Sequence, residues 1–257
     1  MAINVAYLEV RLSGGAANTD INLSFGGAMS STKVISKTVT GAPTGVTILD
    51  APGSTAGTGV VTITGTGAGQ TVQWTPSGGT IGTAVVTGAA DQRYIIKDSS
   101  GLQTLLISTV NASMSAGTTN VTVAQATNKI FPDVTKAQVI TGVTQYRLVY
   151  LWNAHSTEDI LQLQHYISAQ PTGGDSISIG VDPAPASATP NITAPADQFT
   201  APAGVTFSAP STLGAALSNA ALTHGTGVGL WIKRVVPTGI SVTTSADLNT
   251  IVNYIAY

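Results

Sequence analysis

Three histidines, His155, His165 and His224, are the side chains best suited to acid–base chemistry or metal binding. The pattern over 144–167 predicts an antiparallel hairpin in which His165 lies across from Arg147. At about 3.3 Å per residue, that hairpin places His165 roughly 25 Å from the turn that holds His155. His224 has no Asp or Glu close to it in the sequence. We therefore expect three surface or loop histidines and no metal site.

The acidic residues and the glycine runs do not indicate a reaction either. Of the twelve Asp and Glu, only Glu158 and Asp159 are adjacent, whereas glycoside hydrolysis needs two carboxyl groups held about 5–9.5 Å apart. The run Gly65-Thr-Gly-Ala-Gly69 resembles part of a phosphate-binding loop, but a strand-like stretch follows it instead of the required helix. We expect no catalytic residues, no cofactor and no small-molecule substrate, and thus a protein that is not an enzyme.

The composition is that of a folded β protein with an unusually neutral surface. The chain has 257 residues, of which 43% are apolar and only 9% are charged, against about 25% charged residues in typical soluble domains. Exposed strand edges are commonly protected by Lys or Pro, and this chain has six Lys. The shortage of charge predicts edges covered by other subunits. A neutral surface that is merely soluble is the alternative.

Charge and cysteine content exclude some partners. The net charge is −2 and the basic residues are scattered, so we expect no binding to nucleic acid or to an anionic membrane. The chain has no cysteine. It also has no run of about 18 apolar residues and no basic, then apolar, amino-terminal segment. We expect synthesis in a bacterial cytoplasm and a protein that stays soluble there.

Two segments are predicted to be central strands of a β-sandwich. Over 145–152, one face of the predicted strand carries Tyr146, Leu148, Tyr150 and Trp152. The other face carries Arg147, Val149 and Leu151, which indicates a strand covered on both faces. The segment 228–236 likewise alternates between two faces that both carry apolar residues. Trp152 and Trp231 lie in these strands and are expected to fill the core, although an exposed sugar-binding platform is the alternative. The only helical candidates, both weak, are 212–222 and 246–254.

The middle of the chain has its own series of short strands. Turn-forming Gly, Pro and Ser clusters separate them, and Asp98-Ser-Ser-Gly101 predicts a hairpin turn. Strands at spacings near 8–12 residues indicate a small sandwich or barrel, in which Trp74 is expected to be a core residue. The predicted strands are 60–63, 71–74, 84–86, 93–97, 103–107 and 120–123.

The segment 182–203 contains five prolines among small residues. Proline cannot donate to a β-ladder and holds the chain near polyproline geometry, so this proline-rich segment is expected to lie along a surface. It is either an arm that contacts a neighbouring subunit or a long ordered loop. The candidate assembly residues are Pro183, Pro185, Pro190, Pro195, Phe199 and Pro202.

Short blocks near both ends of the chain resemble a family of virion structural proteins of tailed bacteriophages. The resemblance covers about 1–40 and 129–237, and it implies that the segment between them is a guest. We therefore expect an all-β protein with a parent β-sandwich (1–41 and 128–257) and an inserted small β-sandwich or barrel (42–127). The blocks are Arg11-Leu-Ser-Gly-Gly-Ala-Ala-Asn-Thr-Asp20, Leu23-Ser-Phe-Gly-Gly-Ala-Met-Ser-Ser31, Gln145-Tyr-Arg-Leu-Val-Tyr-Leu-Trp-Asn-Ala-His155, Gly204-Val-Thr-Phe-Ser-Ala-Pro210 and Gly229-Leu-Trp-Ile-Lys-Arg-Val-Val-Pro237.

The resemblance implies a location in the virion and a structural role. The expected function is that of a capsid decoration or cement protein, which binds the major capsid protein and sister copies of itself as a homotrimer and stabilises the head shell. A tail, baseplate or fibre-associated protein that contacts a receptor or another tail part is the alternative. A carbohydrate-binding or depolymerising surface protein is a third possibility.

Overall fold

A computed structural model describes residues 7–34, 37–51, 57–65, 69–76, 81–86, 92–99, 103–109, 114–125, 130–132, 134–219, 221–240 and 251–256. The described residues are nearly all β, with 49% of them in strands and 7% in helices, which confirms the predicted fold class. Contacts divide it into two compact units, one of Met1–Val34 with Asn128–Tyr257 and one of Ile35–Thr127. No helix of the described residues is long and apolar enough to span a membrane.

The described strands are named in chain order. They are β1 (Leu8–Leu12), β2 (Gly27–Ala28), β3 (Lys37–Thr40), β4 (Val46–Asp50), β5 (Gly57–Thr64), β6 (Gln70–Pro76), β7 (Gly82–Val86), β8 (Arg93–Asp98), β9 (Gln103–Thr109), β10 (Gly117–Gln125), β11 (Val143–Asn153), β12 (Gln162–Ile167), β13 (Ser176–Val181), β14 (Asn191–Ile192), β15 (Leu217–Asn219), β16 (Gly227–Val236) and β17 (Ile251–Ala256).

The first unit is built on an antiparallel sheet with the order β1-β11-β16-β13, here called the central sheet. Its middle strands pair along ten residues, with Leu148 opposite Trp231 and Arg147 opposite Ile232. Nearly all side chains of β11 and β16 are buried on both faces of the sheet. The sequence predicted this, because both strands have apolar residues at successive positions, as a strand covered on both sides needs.

A second sheet with the order β15-β12-β17, the outer sheet, packs against one face of the central sheet. The two sheets share one apolar core, as in a β-sandwich. Residues of β12 that face this core alternate with polar residues, so only one side of that strand is covered. The core residues are Ile130, Phe131, Val149, Leu151, Ile160, Leu163, Ile167, Ile177, Ile179, Leu222, Val228, Leu230 and Ile232.

The predicted hairpin over 144–167 is wrong, because β11 and β12 belong to different sheets. β11 pairs with β1 and β16, and β12 pairs with β15 and β17. The connection between them crosses from one sheet to the other, and the buried Ile160 lies in it and bridges to Leu222. Turn-forming polar residues mark a change of direction, but they do not show whether the next strand pairs beside the first or packs across from it.

The helical predictions are also wrong within the described residues. Leu213–Ala215 forms one 3-10 turn and leads into β15, and the described part of 246–254 belongs to β17; residues 246–250 lie outside the described residues. A short α-helix, α1, occupies Lys136–Thr141. Thr135 and Gln138 form a capping box at its start, with each side chain bonding the other residue's backbone.

The second unit is an eight-stranded antiparallel sheet with the order β3-β10-β5-β6-β7-β8-β9-β4, curved into a nearly closed barrel. Six predicted strands fall in β5 to β10, and Trp74 is buried in the core as predicted. Gly59 makes room for it, because a Cβ there would lie 2.3 Å from the Trp74 ring. β8 and β9 pair as the predicted hairpin, although Ser100 and Gly101 of its turn lie outside the described residues.

The boundary of this unit differs from the sequence-based one. The prediction assigned residues up to 41 to the parent sandwich, but β3 pairs with β10 and is part of the barrel sheet. The compact unit accordingly begins at Ile35. The alternation of Thr and Val in β3 fits a strand of either sheet, so the sequence could not show that β3 pairs with β10.

The chain itself covers both edges of the central sheet. The side-chain amide of Gln170 donates to the carbonyl of Ile177 on β13 and accepts from its N–H, at 2.9 and 2.8 Å. Ser208 pairs with Ile179 on the same edge. On the opposite edge, β1 bonds with the backbone of 30–34. For this sheet, the low charge therefore does not require coverage by other subunits.

Candidate assembly surface

The proline-rich segment lies across the second face of the central sheet, the face that does not meet the outer sheet. It leaves β13 along the edge of β16, where Ser187 and Gly227 bond each other's backbone, and it reaches the edge of β11 at Gln198. Residues 204–208, the return segment, then lead back to β13. A second apolar cluster fills the space beneath, and its members are Tyr146, Leu148, Tyr150, Ile192, Trp231, Met29, Val205 and Phe207.

A buried carboxylate fixes the start of the segment. The indole Nε1 of Trp231 donates to Asp182 Oδ2 at 2.7 Å, and Asp182 Oδ1 accepts the N–H of Ala184 at 2.9 Å. Gly229 lies beside this contact, and a Cβ there would lie 3.0 Å from Asp182 and 2.3 Å from Ile192. The segment can therefore approach β16 closely only because glycine occupies this position.

A tyrosine hydroxyl fixes the middle of the segment. Tyr150 donates to the carbonyl of Gly27 at 2.6 Å and accepts the N–H of Ile192 at 2.9 Å. It therefore joins β11 to both strands of the small ladder β2–β14. Burial raises the pKa of Tyr150 to about 12, because the ionised phenolate is poorly solvated in this apolar cluster.

The far end of the segment is held by backbone and aromatic contacts. Tyr146 donates its N–H to the carbonyl of Gln198 at 2.8 Å. The ring of Phe207, in the return segment, packs against Tyr146 with 5.5 Å between centroids, and the Lys233 ammonium lies 5.9 Å from the Phe207 centroid. The whole segment is thus an ordered layer of its own unit.

The six candidate assembly residues differ in their exposure. Pro190 and Pro202 are buried against their own unit and Pro195 is half-buried, whereas three side chains are exposed: Pro183, Pro185 and Phe199. Of the two alternatives, an arm on a neighbouring subunit and a long ordered loop, the loop describes the path of the backbone. Any contact with another subunit would have to use Pro183, Pro185 or Phe199.

Two exposed apolar side chains, Leu23 and Phe199, belong to segments that bond neighbouring positions of β11. Leu148 donates its N–H to the carbonyl of Ser24, and Tyr146 donates to Gln198, so both segments bond β11 at positions two residues apart. The exposed fractions are 57% for Leu23 and 49% for Phe199. We call these two residues the Leu23–Phe199 patch. A sequence-based search for the patch would have needed the pairing of two segments about 175 residues apart.

The opposite face of the central sheet holds two buried arginines on one aromatic ring. The guanidinium carbons of Arg147 and Arg234 lie 5.3 and 4.8 Å from the Phe131 centroid. Arg147 donates to the carbonyl of Tyr146, and Arg234 donates to that of Pro132 at 2.8 Å. Burial, with a smaller effect of Arg234, lowers the pKa of Arg147 to about 10. The pair fixes the chain where it re-enters the parent unit.

Asp175 is the acidic member of this region. It is buried, and within the described residues neither carboxylate oxygen has a hydrogen-bond partner. Burial raises the pKa of this carboxyl group, and the charge of Arg234 partly opposes the rise. A buried carboxylate without hydrogen bonds is costly, so the charged form of Asp175 destabilises the fold.

The histidines do not form a reactive group. His165 is fully buried and contacts Asn219 through Nε2, so its predicted surface position is wrong; β12 turns it toward the core. His155 Nδ1 accepts the N–H groups of Thr157 and Glu158 and so caps a loop.

His224 has a carboxylate partner that the sequence did not indicate, because the two residues are 65 positions apart. Asp159 Oδ1 lies 2.9 Å from His224 Nδ1 and also accepts its backbone N–H. These hydrogen bonds lower the pKa of Asp159. The pair is exposed and joins two loops. No cluster of three potential metal ligands occurs in the part of the chain that the structure describes.

The tryptophans differ in their surroundings. Trp231 and Trp74 are fully buried, as predicted. Trp152 is only half-buried, and the Arg11 guanidinium lies 5.2 Å from its ring centroid. Arg11 also bonds the buried Glu9, whose other carboxylate oxygen meets Lys33 at 2.7 Å. This charge cluster joins β1 to the segment that covers its edge.

Comparison with known proteins gives no relative: no family model matches this chain, and no curated protein or solved structure matches it.

Proposed function

We propose that this chain is a structural protein of a tailed-bacteriophage virion, and that it decorates and stabilises the outer shell of the head. The observation that carries the proposal is spatial. One of the five sequence blocks that resemble such virion proteins forms most of strand β11. The other four are far apart in the sequence, yet in the fold they lie against β11 or its partner strands.

Each block contacts β11 or its immediate neighbours. The first amino-terminal block begins with Arg11 and Leu12, which pair with β11. From the second, Ser24 Oγ donates to the carbonyl of Leu148 at 2.6 Å, and Gly27 accepts the Tyr150 hydroxyl. The carboxy-terminal block supplies β16, the main partner of β11. The block 204–210 supplies Phe207, which packs on Tyr146. Each block is needed to cover the same core, so the blocks depend on one another. This dependence supports a fold shared with the virion proteins that the blocks resemble.

The proposed mechanism is binding without chemistry. The major capsid protein and sister copies of this chain are the proposed partners, and the virion is the proposed location. The exposed side of the proline-rich segment and the Leu23–Phe199 patch are the proposed contacts. They lie on an ordered layer, so binding would cost little conformational entropy, and apolar contacts of this kind depend weakly on salt.

A tail or baseplate role is the second candidate. The observation that favours it is the inserted barrel, which exposes the apolar side chains Ile81 and Val85, at 48% and 64%. A compact inserted unit with an apolar surface could contact a receptor or another tail part.

Copy number in purified particles tests the proposal. Quantitative mass spectrometry of the phage that encodes this chain should give an amount comparable with that of the major capsid protein. An amount that is a small fraction of the capsid protein would support the tail candidate, and absence from the particles would refute both.

A binding experiment then tests the contact surface. Heads that lack the protein are mixed with the wild type, with the variant Phe199→Ser, or with Ile140→Ser as a matched control. Ile140 is 66% exposed on α1 and is not part of the proposed contact. Phe199→Ser should weaken binding and Ile140→Ser should not. Equal binding by all three proteins would contradict the role of the patch.

A further inference from the structure

The outer sheet ends on one side in β17. Among the described residues, no strand pairs with the outer edge of β17, whereas its inner edge pairs with β12 along all six residues. The sequence Ile251-Val-Asn-Tyr-Ile-Ala256 has no charge and no proline. It therefore lacks the residues that usually keep an edge strand from pairing with another chain.

The pairing of β12 shows which backbone groups of β17 point outward. Ile167 donates its N–H to Pro210, in the segment that leads into β15, so alternate residues of β12 face β15 and the others face β17. The residues of β12 that face β17 are Gln162, Gln164 and Tyr166, and they lie opposite Ala256, Tyr254 and Val252. The outward N–H and C=O groups of β17 consequently belong to Ile251, Asn253 and Ile255.

We propose that two copies of this chain pair through β17, antiparallel and about a two-fold axis centred on Asn253. This register pairs all three outward-facing residues, with Asn253 opposite its own copy and Ile251 opposite Ile255. A strand that meets itself in antiparallel orientation offers matching donors and acceptors, as an isologous contact requires. The absence of charge in β17 removes the repulsion that would oppose such self-pairing.

The proposal does not rest on a role in the virion, since the contact would form in the purified protein. It joins two copies, so a homotrimer would need a different surface. Failure of this contact and failure of the decoration role are therefore separate results.

A pair of proline variants tests the direction of the hydrogen bonds. Asn253→Pro removes an outward N–H and should convert the dimer to a monomer in sedimentation velocity, with little change in Tm, because edge positions tolerate proline. Tyr254→Pro removes an N–H that bonds β12 and should lower Tm. An oligomeric state that Asn253→Pro leaves unchanged would overturn the proposal, as would a wild type that stays monomeric.

Cysteine cross-linking gives a second measurement that does not depend on proline being tolerated. The chain has no cysteine, so Asn253→Cys introduces a single thiol. Paired residues at the two-fold would have Cα atoms about 5.5 Å apart, within the range for a disulfide. Mild oxidation should give mostly covalent dimer, whereas Ile140→Cys, at an exposed site of α1 outside both proposed contacts, should not. Equal dimer from both variants would contradict the β17 contact.

Discussion

Replacing Tyr150 with Phe tests whether the proline-rich segment is held by its own unit. The change removes one oxygen and leaves the packing of the ring intact. It leaves two groups without their partner, the carbonyl of Gly27 and the N–H of Ile192. Each buried unpaired group costs about 1–3 kcal/mol, so we expect a loss of roughly 2–4 kcal/mol in the free energy of unfolding.

Tyr146→Phe is the matched control. Tyr146 lies two residues away on the same face of β11 and is also buried, but within the described residues its hydroxyl has no hydrogen-bond partner. Its loss should change the free energy of unfolding by less than about 0.5 kcal/mol. Urea denaturation of the three proteins, followed by fluorescence and circular dichroism, measures the difference. Equal stability of the two variants would show that the hydroxyl of Tyr150 does not fasten the segment.

The pH dependence of the same pair gives an independent check. The folded-state pKa of Tyr150, about 12, is above the ordinary value of 10.0 for tyrosine. The stability that depends on the neutral hydroxyl is fully present below pH 10 and is lost as the pH rises toward 12. The advantage of the wild type over Tyr150→Phe should therefore shrink across that interval. An advantage that is constant from pH 9 to 12 would refute this explanation.

Three further predictions concern other parts of the chain. Replacing 35–127 with a short Gly/Ser linker should leave the parent unit folded, with one cooperative transition in calorimetry; an insoluble product would contradict a separable insertion. Asp175→Asn should raise Tm at pH 7 and leave it unchanged at pH 3. The folded-state pKa of Asp175 is raised, so this carboxyl group destabilises the fold once the pH exceeds the ordinary pKa of aspartate. A lower Tm at pH 7 would mean that the carboxylate has a stabilising partner. EDTA should not change Tm, and a fall of several degrees would show a metal site.

The sequence predicted the positions of the strands better than it predicted which strands pair with each other. The two-residue period identified β11 and β16, and it identified them as covered on both faces. It could not identify the partner of β12, because a strand that pairs beside β11 and one that packs across from it show the same alternation. The same limit explains β3, whose pairing with β10 moved the boundary of the inserted unit.

The candidate surface was predictable in composition but not in conformation. Five prolines indicated a segment that runs along a surface. Which side of it is buried depends on single contacts, such as Asp182 with Trp231 and Ile192 with Tyr150. Those contacts join residues 42 to 49 positions apart. Short-range patterns carry no information on such distant pairs, so exposed Phe199 and buried Pro202 could not be told apart.

The low charge of the chain has a physical explanation that the sequence alone left open. Lysine on an edge strand prevents pairing with other chains, but a covered edge does not need that protection. Gln170 and Ser208 cover β13, and 30–34 cover β1, so the central sheet can be neutral without any partner. The charge deficit therefore does not by itself indicate an oligomer. Association between copies is instead expected at β17, where an uncharged edge and the lack of a pairing strand among the described residues coincide, and at the Leu23–Phe199 patch.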